Sequence, residues 1–110
     1  VLDQNGRTLD KVTRRTGIRR ITIEQPAHPE TGRYFVLHVN GQPVFAKGGN
    51  WVPPDMVYGD VEPDRYRRLA EMAREANFNL LRIWGGALYA DHALMDTCDE
   101  LGILVWHDLL

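Results

Sequence analysis

The sequence predicts an α/β fold in which parallel strands alternate with helices, preceded by a shorter β segment. Two stretches in the second half carry apolar residues at spacings of three and four, and each leads into a short apolar run. An Asn-Gly pair at 40 and 41 separates two further apolar runs and predicts a tight hairpin. The three predicted parallel strands all end on polar or aromatic residues, which is where α/β folds build their sites.

Residues 1–33 form the first segment and are predicted to be β structure. The stretch IRRITIE (18–24) has the composition of a half-exposed strand. The stretch QPAHPETG (25–32) holds two prolines and a glycine and is predicted to be a loop or linker. We therefore expect a domain boundary here, with a second domain over 34–110.

The hairpin is predicted within YFVLHVNGQPVF, at the start of this second domain. Asn and Gly tolerate the positive φ angles that a two-residue type I′ turn requires. Pro43 has no backbone N–H, so the second strand of the hairpin is expected at a sheet edge or at a strand start.

A β–α–β–α–β order follows. Pro63 suits the first turn of a helix, and Asp64 favours the positive end of the helix dipole. Short connections between alternating strands and helices predict parallel strands joined by crossovers. The predicted elements are a strand within 44–51, a helix from Pro63, a strand at 79–84, a helix capped by Asp91 and ended by Gly102, and a strand at 103–110.

Two architectures use such units: the open doubly wound sheet and the closed (β/α)8 barrel. A nucleotide-binding sheet needs a G-x-G-x-x-G turn, and KGGNW (47–51) lacks that spacing, so its glycines are interpreted as a tight backbone path. In a barrel, active sites form at the carboxyl ends of the strands. The predicted strands end on Asn50 and Trp51, on Arg82 and Trp84, and on Trp106, His107 and Asp108. This pattern favours the first part of a (β/α)8 barrel.

The strand-end side chains indicate a binding site. An arginine at a strand end is too costly to bury unpaired, so we expect a carboxylate or a ligand to meet Arg82. Trp84 offers a broad apolar face and one N–H donor, which suits a sugar ring, although packing between strand and helix layers explains it equally. The same two alternatives stand for Trp51. Trp106 lies amid apolar residues, and packing is the favoured interpretation.

Composition and motifs exclude several functions. A net charge of −2 gives no reason to expect nucleic acid or an anionic membrane as a partner. No apolar stretch approaches the roughly 20 residues that cross a bilayer. His92 and His107 lack the spacing partners of a metal site, and a structural or solvent-facing role is favoured for both. We expect no metal and no cofactor.

Three motifs resemble glycoside hydrolase family 2, in particular its branch of β-mannosidases and exo-β-glucosaminidases. They are NGQPVFAKGGN (40–50), RIWGG (82–86) and CDELGILVW (98–106). GIRRITIE (17–24) resembles the last strand of the immunoglobulin-like sandwich that precedes the barrel in such enzymes. The resemblance implies that 1–33 is the end of that β-sandwich domain with a linker. It implies that 34–110 contains the first three strands and two helices of a truncated TIM barrel.

The chemistry implied is retaining hydrolysis of terminal β-linked sugars, with β-mannoside as the leading substrate class. Such enzymes use two carboxyl groups roughly 5 Å apart. In the family these are glutamates after barrel strands four and seven, the first of them preceded by asparagine. The chain contains no Asn-Glu dipeptide, so no catalytic residue is assigned within it. The rest of the barrel is expected from a longer parent chain, and the 110 residues alone are expected to be inactive and to aggregate or stay partly unfolded.

The resemblance also implies supporting roles at the strand ends. Arg82 matches an arginine that keeps the nucleophilic glutamate ionised, Trp84 a residue near the sugar subsite, and Asp108 a candidate partner for a sugar hydroxyl. The predicted substrate-binding or nucleophile-supporting residues are Arg82, Trp84, Asn50, Trp51, Asp55 and Asp108. The alternative is a non-catalytic carbohydrate-binding or scaffold protein derived from the same barrel.

Overall fold

The computed structural model describes residues 1–86 and 88–109. Contacts divide the chain into two compact units, Val1–Val44 and Phe45–Leu110. Within the described residues, each unit contains one three-stranded sheet, and the second also contains two α-helices. The fold class is therefore mixed α/β, as predicted.

The first unit is an antiparallel sheet of three strands in chain order. The strands are β1 (Ile21–Glu24), β2 (Val36–Val39) and β3 (Gln42–Val44). Val39 pairs with Gln42, and the two residues between them have positive φ angles, 52° at Asn40 and 79° at Gly41. The two-residue type I′ turn is thus confirmed. Among the described residues, β3 pairs only with β2, which confirms the edge position expected for Pro43.

The first strand is shorter than the sequence predicted. Strand β1 begins at Ile21 rather than at residue 18, and Ile18 is fully exposed. Ile21 pairs with Val39, the last residue before the hairpin turn. The ladder closes at Arg20, whose carbonyl accepts from the Asn40 N–H at 2.8 Å and whose N–H donates to the Asn40 side-chain Oδ1 at 2.9 Å. Residues before this point have no opposite strand, so their alternating sequence does not become β structure. Strand β1 is the one strand longer than an isolated bridge within residues 1–33.

The compact units separate between Val44 and Phe45, because the pairing of β2 with β1 ties the hairpin to the first sheet. The loop rich in proline and glycine therefore connects two strands of one sheet. The domain assignment of 1–33 and 34–110 stays a prediction.

The second unit alternates parallel strands with helices in the predicted order. Strands β4 and β6 each pair in parallel with β5, which lies between them. Its elements are β4 (Gly48–Trp51), a 3-10 turn (Tyr58–Asp60), α1 (Pro63–Glu75), β5 (Leu80–Ile83), α2 (His92–Leu101) and β6 (Leu104–His107).

The helix ends follow the predicted local signals. Pro63 occupies the first position of α1. Asp91 caps α2, and its Oδ1 accepts a hydrogen bond from the Ala93 N–H at 2.7 Å. Gly102 ends that helix with a left-handed φ of 68°. These three predictions are confirmed.

The core of the second unit lies between the sheet and the two helices. Alternate residues of a strand point to opposite faces of a sheet, so the burial of Leu81 and Ile83 marks the face of β5 that the helices cover. Burial raises the pKa of the Cys98 thiol to about 11, and the nearby Asp99 carboxylate adds to the shift, so Cys98 is a packing residue. The buried apolar residues are Tyr66, Ala70, Leu81, Ile83, Leu94, Cys98 and Ile103.

Candidate functional site

The strand ends fall into two rows on opposite faces of the parallel sheet. Asn50, Arg82 and Trp106 are partners across β4, β5 and β6. The next row holds Trp51, Ile83 and His107. Since Ile83 is buried against the helices, the row of Arg82 lies on the opposite face. The residues that the sequence grouped as strand ends are thus divided between two environments.

Arg82 is fixed by a carboxylate and an amide. Asp108 Oδ1 accepts from Arg82 Nε at 3.2 Å and Oδ2 accepts from Nη2 at 2.5 Å, which makes a two-point fork. Asn50 Oδ1 accepts from Nη1 at 3.2 Å. The backbone N–H of Asp108 donates to the Ile83 carbonyl at 2.9 Å and holds the carboxylate beside the end of β5. The carboxylate expected to meet Arg82 is therefore Asp108.

This cluster retains capacity for a further anionic or hydroxyl partner. A guanidinium has five N–H donors, and three of them bond Asp108 and Asn50 within residues 1–86 and 88–109. The Arg82 side chain is 43% exposed, so the cluster is open to solvent. The arrangement presents an oriented cation at the carboxyl edge of the sheet.

Trp84 follows β5 directly and precedes Gly85, whose backbone bonds Asp108 of the same cluster. The residue is 42% exposed. A Cβ placed on Gly86 would overlap the six-membered ring of the Trp84 indole, so the ring rests directly against the Gly86 backbone. Gly85 donates its N–H to Asp108 Oδ2 at 3.2 Å. Gly86 therefore leaves the space that the indole occupies, and Gly85 bonds the loop to Asp108 of the arginine cluster.

Replacing Gly86 by alanine is expected to turn the Trp84 indole out of this position, because the added methyl group occupies the space of the ring. With 5-fluorotryptophan incorporated, the fluorine resonance of Trp84, assigned from Trp84→Phe, should shift in Gly86→Ala. Gly85→Ala is the matched control, since a Cβ there meets Asp108 at an ordinary 3.7 Å. An unchanged Trp84 resonance in Gly86→Ala would contradict this placement.

Trp51 lies on the helix-covered side of the sheet rather than beside Arg82. Its ring stacks on Tyr66 of α1 with centroids 6.5 Å apart and planes 24° apart. Both residues line an open pocket of about 140 Å³, to which Tyr58, Tyr89 and Asp91 also contribute. Trp51 therefore packs against α1 and lines an aromatic pocket that is separate from the Arg82 cluster.

Asp55 organises the loop between β4 and α1. Its carboxylate accepts from the Val57 N–H at 3.2 Å and forms an ion pair with Arg65 at 3.0 Å. Arg65 also donates to the Pro54 carbonyl at 2.5 Å. The Val57 bond first, and the Arg65 bond second, lower the pKa of Asp55 below its ordinary value of 3.8. Its observed partners thus belong to its own loop and to α1.

Arg65→Gln is expected to raise the Asp55 pKa but to leave it below 3.8, because the Val57 N–H bond remains. A carboxyl whose pKa is lower in the folded state stabilises the fold above its unfolded pKa, and this contribution disappears as the pH falls through the folded pKa. The measurement is the carboxyl carbon shift of Asp55 against pH. Arg67→Gln is the control, since Arg67 pairs with Glu71 and Glu100. An unchanged Asp55 midpoint in Arg65→Gln would show that the ion pair is unimportant.

Two residues differ from their predicted roles or gain new ones. Trp106 was expected to pack in an apolar run, but it is 44% exposed and lies in the row of Arg82. His107, expected to be structural or solvent-facing, accepts from the Ala90 N–H through Nε2 at 3.1 Å. Its ring lies 5.3 Å from that of Tyr89. The alternation of faces along β6 was the sequence signal that separates Trp106 from His107.

Neither metal-binding clusters nor membrane-spanning helices occur in the described part of the chain. Across residues 1–86 and 88–109, no cluster of three or more His, Cys, Asp or Glu side chains is arranged to hold a metal ion. Over the same residues, none of the helices has the length and apolar character that crossing a bilayer requires.

No protein-family model matches the chain, but several known proteins of related sequence or structure do. The chain is 40% identical to a β-mannosidase of Capra hircus over 88 residues, which are 80% of the chain. It is 34% identical to β-mannosidase B of Aspergillus terreus over 110 residues, which are 99% of the chain. A solved β-D-mannosidase of Dictyoglomus thermophilum superposes on 96% of the chain with a TM-score of 0.90 and 43% identity. An exo-chitosanase of Amycolatopsis orientalis, at 20% identity and a TM-score of 0.61 over 79% of the chain, shares the fold.

The chain spans a small part of these proteins. It corresponds to 10% of the Capra hircus protein, 13% of the Aspergillus terreus protein and 13% of the Dictyoglomus thermophilum chain. Identity and structural match run along nearly the whole of the 110 residues. The chain is therefore a homologue of the β-mannosidases of glycoside hydrolase family 2, as its motifs predicted.

Proposed function

We propose that this chain is a segment of a retaining, exo-acting β-glycosidase that hydrolyses terminal β-linked sugars, with β-mannosides as the preferred class. The observation that carries the proposal is the match to the Dictyoglomus thermophilum β-D-mannosidase, with 43% identity over nearly the full chain. The oriented Arg82 and the exposed indole of Trp84 supply the polar and apolar contacts that a sugar at this edge needs.

The proposed architecture is a β-sandwich followed by a barrel. We assign the parallel sheet to the first three strands of a (β/α)8 barrel, because β4, β5 and β6 are neighbours in chain order with a helix between each pair. Residues 1–33 are assigned to the end of an immunoglobulin-like domain and its linker, and the barrel domain is assigned to 34–110. The remaining strands would come from a longer polypeptide, in keeping with the 10% to 13% of its relatives that the chain covers.

Catalysis is proposed to use two glutamates supplied outside these 110 residues. One carboxyl protonates the leaving oxygen and then activates water, and the other, about 5 Å away, attacks the anomeric carbon. The nucleophile must be ionised at neutral pH, and a cation within roughly 4 to 6 Å lowers a carboxyl pKa. Arg82 is the proposed cation, and Asp108 and Asn50 hold its guanidinium in one orientation.

The other predicted site residues take roles that fit their contacts. Trp84 is proposed as the platform beneath the sugar ring at the cleavage point. Asp108 directs Arg82 through both oxygens, and its Oδ1 is the atom proposed to reach a sugar hydroxyl. Trp51 and Asp55 are proposed to shape the loop after β4, through Tyr66 and Arg65 respectively.

The test is an assay of the full-length enzyme that carries this segment against nitrophenyl β-mannoside, β-glucosaminide and β-galactoside, with α-mannoside as control. We expect turnover of the β-mannoside. Proton NMR should show that the β-anomer of mannose is released first, because a retaining enzyme keeps the configuration of its substrate. A folded protein that is inactive on all three β-glycosides would overturn the proposal, and binding without turnover would favour the non-catalytic alternative. First release of the α-anomer would overturn the two-glutamate retaining mechanism.

A further inference from the structure

We propose that His107 is a positioning residue that fixes the loop between β5 and α2, and through it the sugar platform formed by Trp84. This inference rests on the proposed function for its kinetic consequences, although its geometry stands on contacts alone. His107 ends β6 on the helix-covered face, opposite to the row of Arg82, and its described contacts are to the backbone of Ala90 and Asp108 and to the ring of Tyr89.

The hydrogen bonds of His107 define its chemical form. The Ala90 N–H is a donor, so His107 Nε2 must accept at 3.1 Å. The Asp108 carbonyl is an acceptor, so Nδ1 must carry the proton that it donates at 2.7 Å. A ring that accepts at one nitrogen and donates at the other is a neutral imidazole with its proton on Nδ1. Both nitrogens are therefore used to hold backbone.

Two consecutive residues hold the two ends of one loop. Asp108 Oδ2 accepts from the Gly85 N–H at 3.2 Å at the start of the loop. His107 Nε2 accepts from the Ala90 N–H at its far end. The His107 ring also lies against Tyr89, with centroids 5.3 Å apart. The last residue of β6 and the residue after it thus hold the segment that follows Trp84, with one hydrogen bond at each end.

Loss of the bond between His107 and Ala90 is expected to weaken substrate binding, although no group that contacts the substrate is removed. Releasing the Ala90 end would remove one of the two described hydrogen bonds that join the loop to His107 and Asp108, and the Trp84 indole that rests on Gly86 would be oriented less strictly. Substrate binding would weaken because each encounter would have to order the loop. Proton transfer and Arg82 would be unaffected, so the effect should fall on KM more than on kcat.

The experiment uses two isosteric variants of the full-length enzyme. Glutamine places an acceptor near the position of Nε2, so His107→Gln should keep the Ala90 bond and a wild-type KM. Asparagine places its amide near Nδ1, so His107→Asn should keep the bond to the Asp108 carbonyl and lose Ala90. We expect its KM to rise about fivefold to tenfold, the scale of one lost hydrogen bond, with kcat within about twofold. A purely structural role would lower the amount of active enzyme and leave KM unchanged.

Hydrogen exchange at the Ala90 amide supplies a readout that needs no substrate. It should be slow in the wild type and in His107→Gln, and faster in His107→Asn. Wild-type exchange or wild-type KM in a folded His107→Asn would overturn the positioning role. If His107→Asn does not fold, a raised KM in His107→Gln would also overturn the positioning role. If the wild-type enzyme lacks glycosidase activity while the exchange rates follow the expected order, the proposed function fails and the positioning of the loop by His107 stands.

Discussion

Replacing Arg82 by alanine in the full-length enzyme is expected to lower turnover of β-mannoside by about 100-fold to 1000-fold, the scale seen when one oriented electrostatic contact is removed from an active site. The substitution deletes the cation proposed to keep the nucleophile ionised and leaves the Asp108 carboxylate, 23% exposed, without its forked partner. The acidic limb of the kcat/KM profile should also move to higher pH, because a carboxyl that loses a neighbouring cation has a higher pKa.

Two further variants separate this role from charge or folding effects. Arg82→Lys keeps the charge but cannot form the fork, so it should recover little of the activity. Arg67→Ala is the control, since Arg67 is a half-exposed arginine that pairs with Glu71 at 3.2 Å and Glu100 at 2.8 Å. Pairs of that kind are worth about 1 kcal/mol or less, and turnover should not change. Full turnover in Arg82→Ala would refute the assignment.

Gly48→Ala is expected to destabilise the second unit by about 3 kcal/mol, the upper range for forcing extra atoms into a packed site. A Cβ at Gly48 would overlap the backbone carbonyl of Leu80 on the neighbouring strand. A backbone carbonyl cannot rotate away as a side chain can, so β4 and β5 must separate. The interpretation of the KGGNW glycines as a tight backbone path is confirmed at this position.

The adjacent glycine is the matched control for that measurement. A Cβ at Gly49 would meet the Phe78 ring at 3.6 Å, which is ordinary contact. Gly49→Ala should therefore change the free energy of unfolding by about 0.5 kcal/mol or less. Urea unfolding of both variants in the full-length enzyme provides the comparison. Equal effects of the two substitutions would show that the close approach at Gly48 does not matter.

The sequence by itself determined the features that depend on neighbouring residues. The positive φ angles that the hairpin needs are supplied by Asn40 and Gly41, and the second helix is bounded by the Asp91 cap and the left-handed Gly102. Each of these signals acts within a few residues, so it survives in any tertiary context. The family resemblance was also readable, because its motifs are contiguous.

The tertiary structure alone decided which strand-end residues share an environment. Asn50 and Trp51 are adjacent in the chain, yet one bonds Arg82 and the other stacks on Tyr66. The pairing of Asp108 with Arg82 and the late start of β1 likewise depend on strand register. Register is fixed by contacts between distant segments, and a shift of one residue exchanges the two faces of a strand. Local composition therefore identifies candidate residues of this site, and the pairing of distant strands decides which of them contact each other.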